Sequence, residues 1–116
     1  DGPIAKTDST DQIKRFEASG WNVTKINGHN TKEIFKAIKD SNSSDKPTMI
    51  LCKTIIGYGS PNKQGTASVH GSPLGPDEYN LTRKELGIKY SKFQIPVEIL
   101  KMWRSVGIRG QKQKKI

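Results

Sequence analysis

Pro47 to Gly75 reads P-T-M-I-L-C-K-T-I-I-G-Y-G-S-P-N-K-Q-G-T-A-S-V-H-G-S-P-L-G, and its change of character at Lys53 decides the fold class. The first part, Thr48-Met49-Ile50-Leu51-Cys52, is continuously apolar behind a proline. That is the pattern of a strand buried on both faces of a parallel sheet. The second part, Lys53 to Gly75, is a 23-residue connection. Connections this long inside a compact domain bind something or are disordered. Its glycines permit close backbone approach, while Pro61 and Pro73 fix φ and remove amide donors, so the loop is shaped by its own sequence. A shaped loop at the carboxyl end of a strand lies where α/β sheets bind ligands.

Outward from this stretch, the chain alternates helix and strand signals. Ser9 with Gln12 makes a capping-box pattern, Ile13 and Phe16 share a helix face and Gly20 suits a carboxyl-terminal cap, which predicts a helix over 9–19. Trp21, Val23 and Ile26 lie in a β-favouring run that ends at Asn27-Gly28. Asn30 with Glu33 repeats the capping pattern before the stripe Ile34, Phe35, Ile38, so 31–40 is predicted helical, and Ser41 to Ser44 a loop. Gly75-Pro76, with Asp77 and Glu78 in the first turn, opens a third helix ending at Leu86 before Gly87. A fourth follows Ile95-Pro96, its face set by Ile99, Trp103 and Val106, with Gly107 as its stop. Asp1-Gly2-Pro3 reads as a turn leaving a preceding strand. The order predicts an α/β fold: a partial parallel sheet with flanking helices. So small a sheet is poorly covered, which marks a segment of a larger domain.

Composition narrows the function classes. The 116 residues are 32% hydrophobic, below the usual globular level, so the core is expected to be thin. Cys52 has no partner cysteine and sits in the apolar run, reading as a buried, reduced thiol of a cytoplasmic protein. No apolar stretch approaches a membrane span. The net charge of +9 divides into +4 over residues 1–103 (15 basic, 11 acidic) and +5 over 104–116 (five basic, no acidic). The second part, with Arg104, Arg109, Lys112, Lys114 and Lys115, reads as a solvated, disordered basic tail. Without a recognition module, nucleic acid is not the expected partner.

The long loop also carries a resemblance. Lys53-Thr54-Ile55-Ile56-Gly57-Tyr58-Gly59-Ser60, Gly65-Thr66 and Val69-His70-Gly71-Ser72-Pro73-Leu74-Gly75 resemble the transketolase family. Arg15-Phe16-Glu17-Ala18 with Gly20-Trp21, Asn27-Gly28-His29, Lys46-Pro47-Thr48, Leu81-Thr82-Arg83 and Ile95-Pro96 follow in family order, over about residues 1–103. The resemblance implies a piece of the thiamine-diphosphate-binding fold. It implies an enzyme that transfers two-carbon ketol units between sugar phosphates, with thiamine diphosphate and a divalent cation, Mg2+ or Ca2+, in a homo-oligomeric parent.

The resemblance also assigns residues. His70 falls where the family's histidine lies against both the cofactor diphosphate and the substrate, and an imidazole suits that contact because it titrates near neutral pH. The family's second histidine, three positions earlier, is Ala67 here. Ile56 falls where a residue packs beside the cofactor's thiazolium; it reads equally as an apolar anchor of the loop, and is buried in either case. His29 reads as a residue ordering its turn by hydrogen bonds. Lys53 and Lys63 are able to meet phosphates but read first as solvated loop charges.

Other chemistries lack their residues. One cysteine and two separated histidines make no zinc pattern, and the chain has neither a phosphate-binding Gly-x-x-x-x-Gly-Lys-Ser/Thr loop nor a Gly-x-Ser-x-Gly elbow. Asp1-Gly2 resembles the end of the family's N-x-S-x-D-G block. The metal-ligating residues are thus expected upstream, and the glutamate that activates the cofactor on a second domain downstream. The chain alone is expected to bind cofactor poorly and to transfer no ketol. A different reading is a non-catalytic association module whose basic tail contacts nucleic acid or another acidic partner.

Overall fold

The computed structural model describes residues 3–114. Its centre is a β-α-β unit. Strand β1, Asn22–Asn27, and strand β2, Thr48–Lys53, pair in parallel from Asn22 opposite Thr48 to Asn27 opposite Lys53. Helix α2, Thr31–Ser41, makes the crossover between them. Parallel pairing requires such a connection, because a tight turn returns the chain antiparallel.

Helix α1, Gln12–Ala18, starts later than the Ser9 pattern predicts. The Asp11 carboxylate caps it by accepting the Lys14 amide at 3.2 Å, while Asp8 accepts from the Thr10 amide and the Gln12 side chain and builds the turn before it. A carboxylate at the amino end of a helix also meets the positive end of its dipole, an advantage the Ser9 hydroxyl lacks. The carboxyl end follows expectation. Gly20 has φ +83°, its amide reaches Glu17 O, the Trp21 amide reaches Phe16 O, and the Phe16 and Trp21 rings meet edge to face at 5.3 Å. This paired closure with its apolar contact ends the helix and turns the chain into β1.

Asn30 caps α2 as predicted, accepting from the Lys32 and Glu33 amides. Glu33, however, reaches past the cap to the Asn27 amide at 2.7 Å and to Asn30 Nδ2 at 2.8 Å. It therefore fastens the end of β1 to the start of the crossover helix. Packing on the sheet runs through Ile26 and Ala37, the buried apolar residues among those described, at 8% and 5% exposure.

Helix α3, Pro76–Glu85, begins behind Gly75 and closes with the Gly87 and Ile88 amides on Lys84 O and Arg83 O. Helix α4, Val97–Gln113, corrects two expectations: it passes through Gly107, and the tail expected to be disordered is helical to Gln113. An interior glycine costs a helix about 1 kcal/mol, too little to end it without a competing cap. Lys115, like the Asp1-Gly2 turn, lies outside the described residues.

β2 is half-buried from Thr48 to Leu51 and exposed at Cys52 and Lys53, so neither the doubly covered strand nor the buried thiol is found. Among the described residues the sheet has two strands, so β2 has a neighbour on one side only. The thin core expected from composition is present and extreme. The radius of gyration is 18.6 Å, against about 13 Å for a compact chain of this length. The accessible surface is 9885 Å², against about 6,300 Å² for a compact monomer of this mass. Phe35 and Trp103 are each about seven-tenths exposed.

Candidate functional site

The parallel strands bring Asn27 and Lys53 side by side at their carboxyl ends. A cavity of about 590 Å³ opens there, lined by Lys25, Asn27, His29, Glu33, Lys53 and Tyr58 with Ile26 and Ile55. The turn after β1 approaches the end of β2 closely: the Gly28 amide donates to Lys53 O at 2.8 Å, and a Cβ on Gly28 would lie 2.5 Å from Thr54 Cγ2. A larger residue there would have to displace the Thr54 methyl and press on Cys52 Cβ and Lys53 O, at 3.1 and 3.2 Å. The His29 ring, expected to order its own turn, bonds across to the exit of β2. Its Nε2 accepts the Ile55 amide at 2.8 Å and its ring stacks on Tyr58 at 3.8 Å. Because an amide only donates, Nε2 is the accepting nitrogen of this bond.

The loop from Lys53 to Gly75 folds into two arms joined to α3. The first arm closes through the Gly65 amide on Ile56 O at 2.8 Å and the Gly59 amide on Gln64 Oε1 at 2.9 Å. Glu78, in the first turn of α3, receives this arm: its Oε1 accepts from Ser60 Oγ and the Asn62 amide, and its Oε2 accepts from Asn62 Nδ2. These bonds hold the Glu78 carboxyl below its ordinary 4.5, at about 2, the Ser60 hydroxyl first, then Asn62, with the Lys63 charge adding to them. The second arm contains one helical turn, Ala67–Val69, and the His70 amide closes it on Ala67 O at 3.0 Å. Val69 packs against Gly57, where a Cβ would lie 3.0 Å from its Cγ2. Lys63 Nζ donates to Leu74 O at 2.9 Å, joining the arms.

His70 is exposed and follows the helical turn of the second arm. Ile56, expected to be buried, is 39% exposed because the loop is held by backbone and polar bonds around it. Neither residue lines the cavity at the strand ends; Ile55 and Lys53 do. Lys63 is no solvated charge, being bonded to Leu74 O. The sequence reading missed Glu78 as the loop's clamp and the pairing of His29 with Tyr58. A carboxylate in the first turn of α3 carries a helix-capping signal, and that signal hides a partner 18 residues away. Among the described residues, no group of three His, Cys, Asp or Glu is arranged to hold a metal ion. None of the described helices is long and apolar enough to cross a membrane.

Comparison with known proteins covers the whole chain. The family described as "Transketolase, thiamine diphosphate binding domain" matches residues 1–116. Transketolase from Rhodobacter capsulatus is 43% identical over 110 residues, covering 95% of this chain and 16% of that protein. Transketolase 1 from Escherichia coli is 48% identical over 105 residues, covering 89% and 16%. The transketolase structure from Campylobacter jejuni is 35% identical with a TM-score of 0.74, covering 82% of this chain and 15% of the other. The structure from Leishmania mexicana is 25% identical with a TM-score of 0.84, covering 98% and 18%. The chain thus spans about a sixth of the length of the curated relatives it matches. These similarities give no support to a separate association module.

Proposed function

Because this chain belongs to the transketolase family as part of its thiamine diphosphate binding domain, we propose that it supplies one wall of the cofactor and substrate site of a ketol-transferring enzyme. The observation that carries this reading is the family match over residues 1–116, joined to an exposed His70 on a braced arm that leaves the end of a parallel strand. His70 contacts a diphosphate oxygen of the cofactor and a hydroxyl of the sugar phosphate. Ile56, with part of its side chain open, packs beside the cofactor rings.

The donor set fits part of thiamine diphosphate. An exposed imidazole and the open backbone at Gly71, where a Cβ would meet nothing within 4 Å, leave room for an anionic group beside the second arm. When bound, this cofactor provides the carbanion stabilisation that two-carbon transfer requires. The divalent cation does not fit the described residues, and its ligands belong elsewhere in the enzyme. Completion of the site falls to the remainder of the enzyme, in the same chain or a complementary subunit, within a cytoplasmic homo-oligomer.

The surface argues for such completion. Roughly 3,600 Å² beyond the expectation for a compact monomer is exposed, a large area by the standard of obligate interfaces. The test mixes the purified chain with thiamine diphosphate, Mg2+, a ketose phosphate donor and an aldose phosphate acceptor, alone and with the remaining segments of a transketolase. No turnover alone and turnover on mixing is the expected result; sustained turnover by the chain alone would overturn the need for completion.

A further inference from the structure

The two arms of the loop meet at one side chain. Lys63 belongs to the first arm, which Glu78 holds through Ser60 and Asn62, and its ammonium crosses to Leu74 O in the second arm. Leu74 lies four residues beyond His70, and the His70 amide is closed on Ala67 O just before the crossing. The His70 segment is therefore fixed at its start by the helical turn and Val69 on Gly57, and at its end by Lys63. Residues 71–73 between these points are exposed.

We infer that Lys63 is a positioning residue for His70: its bond to Leu74 O sets the reach of the arm that carries the imidazole. This rests on the site role given to His70 above. Lys63 acts through this carbonyl, the partner its ammonium meets in the structure. A charged donor on a carbonyl is worth more than a neutral one, and the partly buried position of Lys63 protects it from water. Losing it allows the arm to sample positions in which His70 misses its contact.

The experiment uses a hybrid enzyme, a complete transketolase in which this chain replaces the matching segment. Lys63→Met, Lys63→Arg, His70→Ala and the Lys63→Met/His70→Ala double variant are compared by the dissociation constant of thiamine diphosphate with Mg2+ and by exchange of the His70 amide. Lys63→Met is expected to weaken cofactor binding roughly tenfold and to speed that exchange, the size expected for one charged hydrogen bond. Lys63→Arg, which keeps a donor, recovers most of the loss. In the double variant, binding is no weaker than in His70→Ala alone, because the tether acts through the imidazole. A general structural defect would instead lower the active fraction and leave the dissociation constant of the remainder unchanged.

If His70→Ala weakens binding while Lys63→Met changes neither affinity nor exchange, the tether is refuted and the role of His70 stands. Full multiplication of the two single effects refutes it as well. If His70→Ala is silent while Lys63→Met still speeds exchange, the site role of His70 fails and the tether remains.

Discussion

Substituting Gly59 by alanine tests whether the loop is a packed body and not a flexible connector. Gly59 has φ +86°, and a Cβ there would lie 2.5 Å from Leu86 Cδ2, 2.7 Å from its Cγ and 3.1 Å from its Cδ1. The left-handed backbone alone costs an alanine about 1–2 kcal/mol. Overlap with Leu86 adds about 1–2 kcal/mol, the low end for overpacking, because Leu86 is partly exposed and can swing. The sum, about 2–4 kcal/mol, corresponds to a roughly thirty-fold to several-hundred-fold loss of amide protection. Gly71→Ala is the control, since it shares a positive φ of +70° with nothing within 4 Å of the added carbon. Amide exchange by mass spectrometry in the hybrid enzyme should show the larger loss across residues 57–65 and the end of α3 for Gly59→Ala, and Leu86→Ala should relieve part of it. Equal loss in the two glycine variants, or no relief from Leu86→Ala, would refute the packing argument.

Two further outcomes follow from the fold. The Glu78 carboxyl is lowered from 4.5 to about 2, so the stability it lends the loop is fully present above pH 4.5 and is lost as pH falls through about 2. Protection of the Asn62 amide, normalised for intrinsic exchange, should therefore fall across that window in the wild-type loop and be low and flat there in Glu78→Gln; a flat wild-type profile would contradict the clamp. Ile26→Ala removes most of a side chain that is 8% exposed at the centre of the sheet and should cost about 2–5 kcal/mol. Unchanged circular dichroism and urea midpoint of the chain would show that the sheet does not depend on this contact.

The β-α-β order, the Asn30 cap, the opening of α3 and the Gly20 closure were legible because each is written in residues a few positions apart. What failed depends on partners that local patterns do not encode. Met49 to Cys52 has the apolar run of a central strand, yet its burial depends on a neighbouring strand and not on its own sequence. Gly107 carries a stop signal that works only where capping bonds compete with the next helical turn, and α4 continues instead. Within the site, the family motif identified the arm bearing His70, whereas its braces, Lys63 on Leu74 and Glu78 on Ser60 and Asn62, join residues 11 to 18 positions apart. The basic residues of α4 were legible as charge but not as helix, since lysine, arginine and glutamine suit an exposed helix as readily as a solvated coil.

The most direct measurement is a thiamine diphosphate titration of the hybrid enzyme with Mg2+, comparing His70 with His70→Ala and following two-carbon transfer between sugar phosphates in the same samples. A hybrid that turns over, and whose His70→Ala variant binds cofactor roughly tenfold or more weakly, is the predicted result, the size of one lost contact to a charged group. A hybrid that folds and assembles but binds cofactor equally well with and without the imidazole would contradict the role given to the His70 arm.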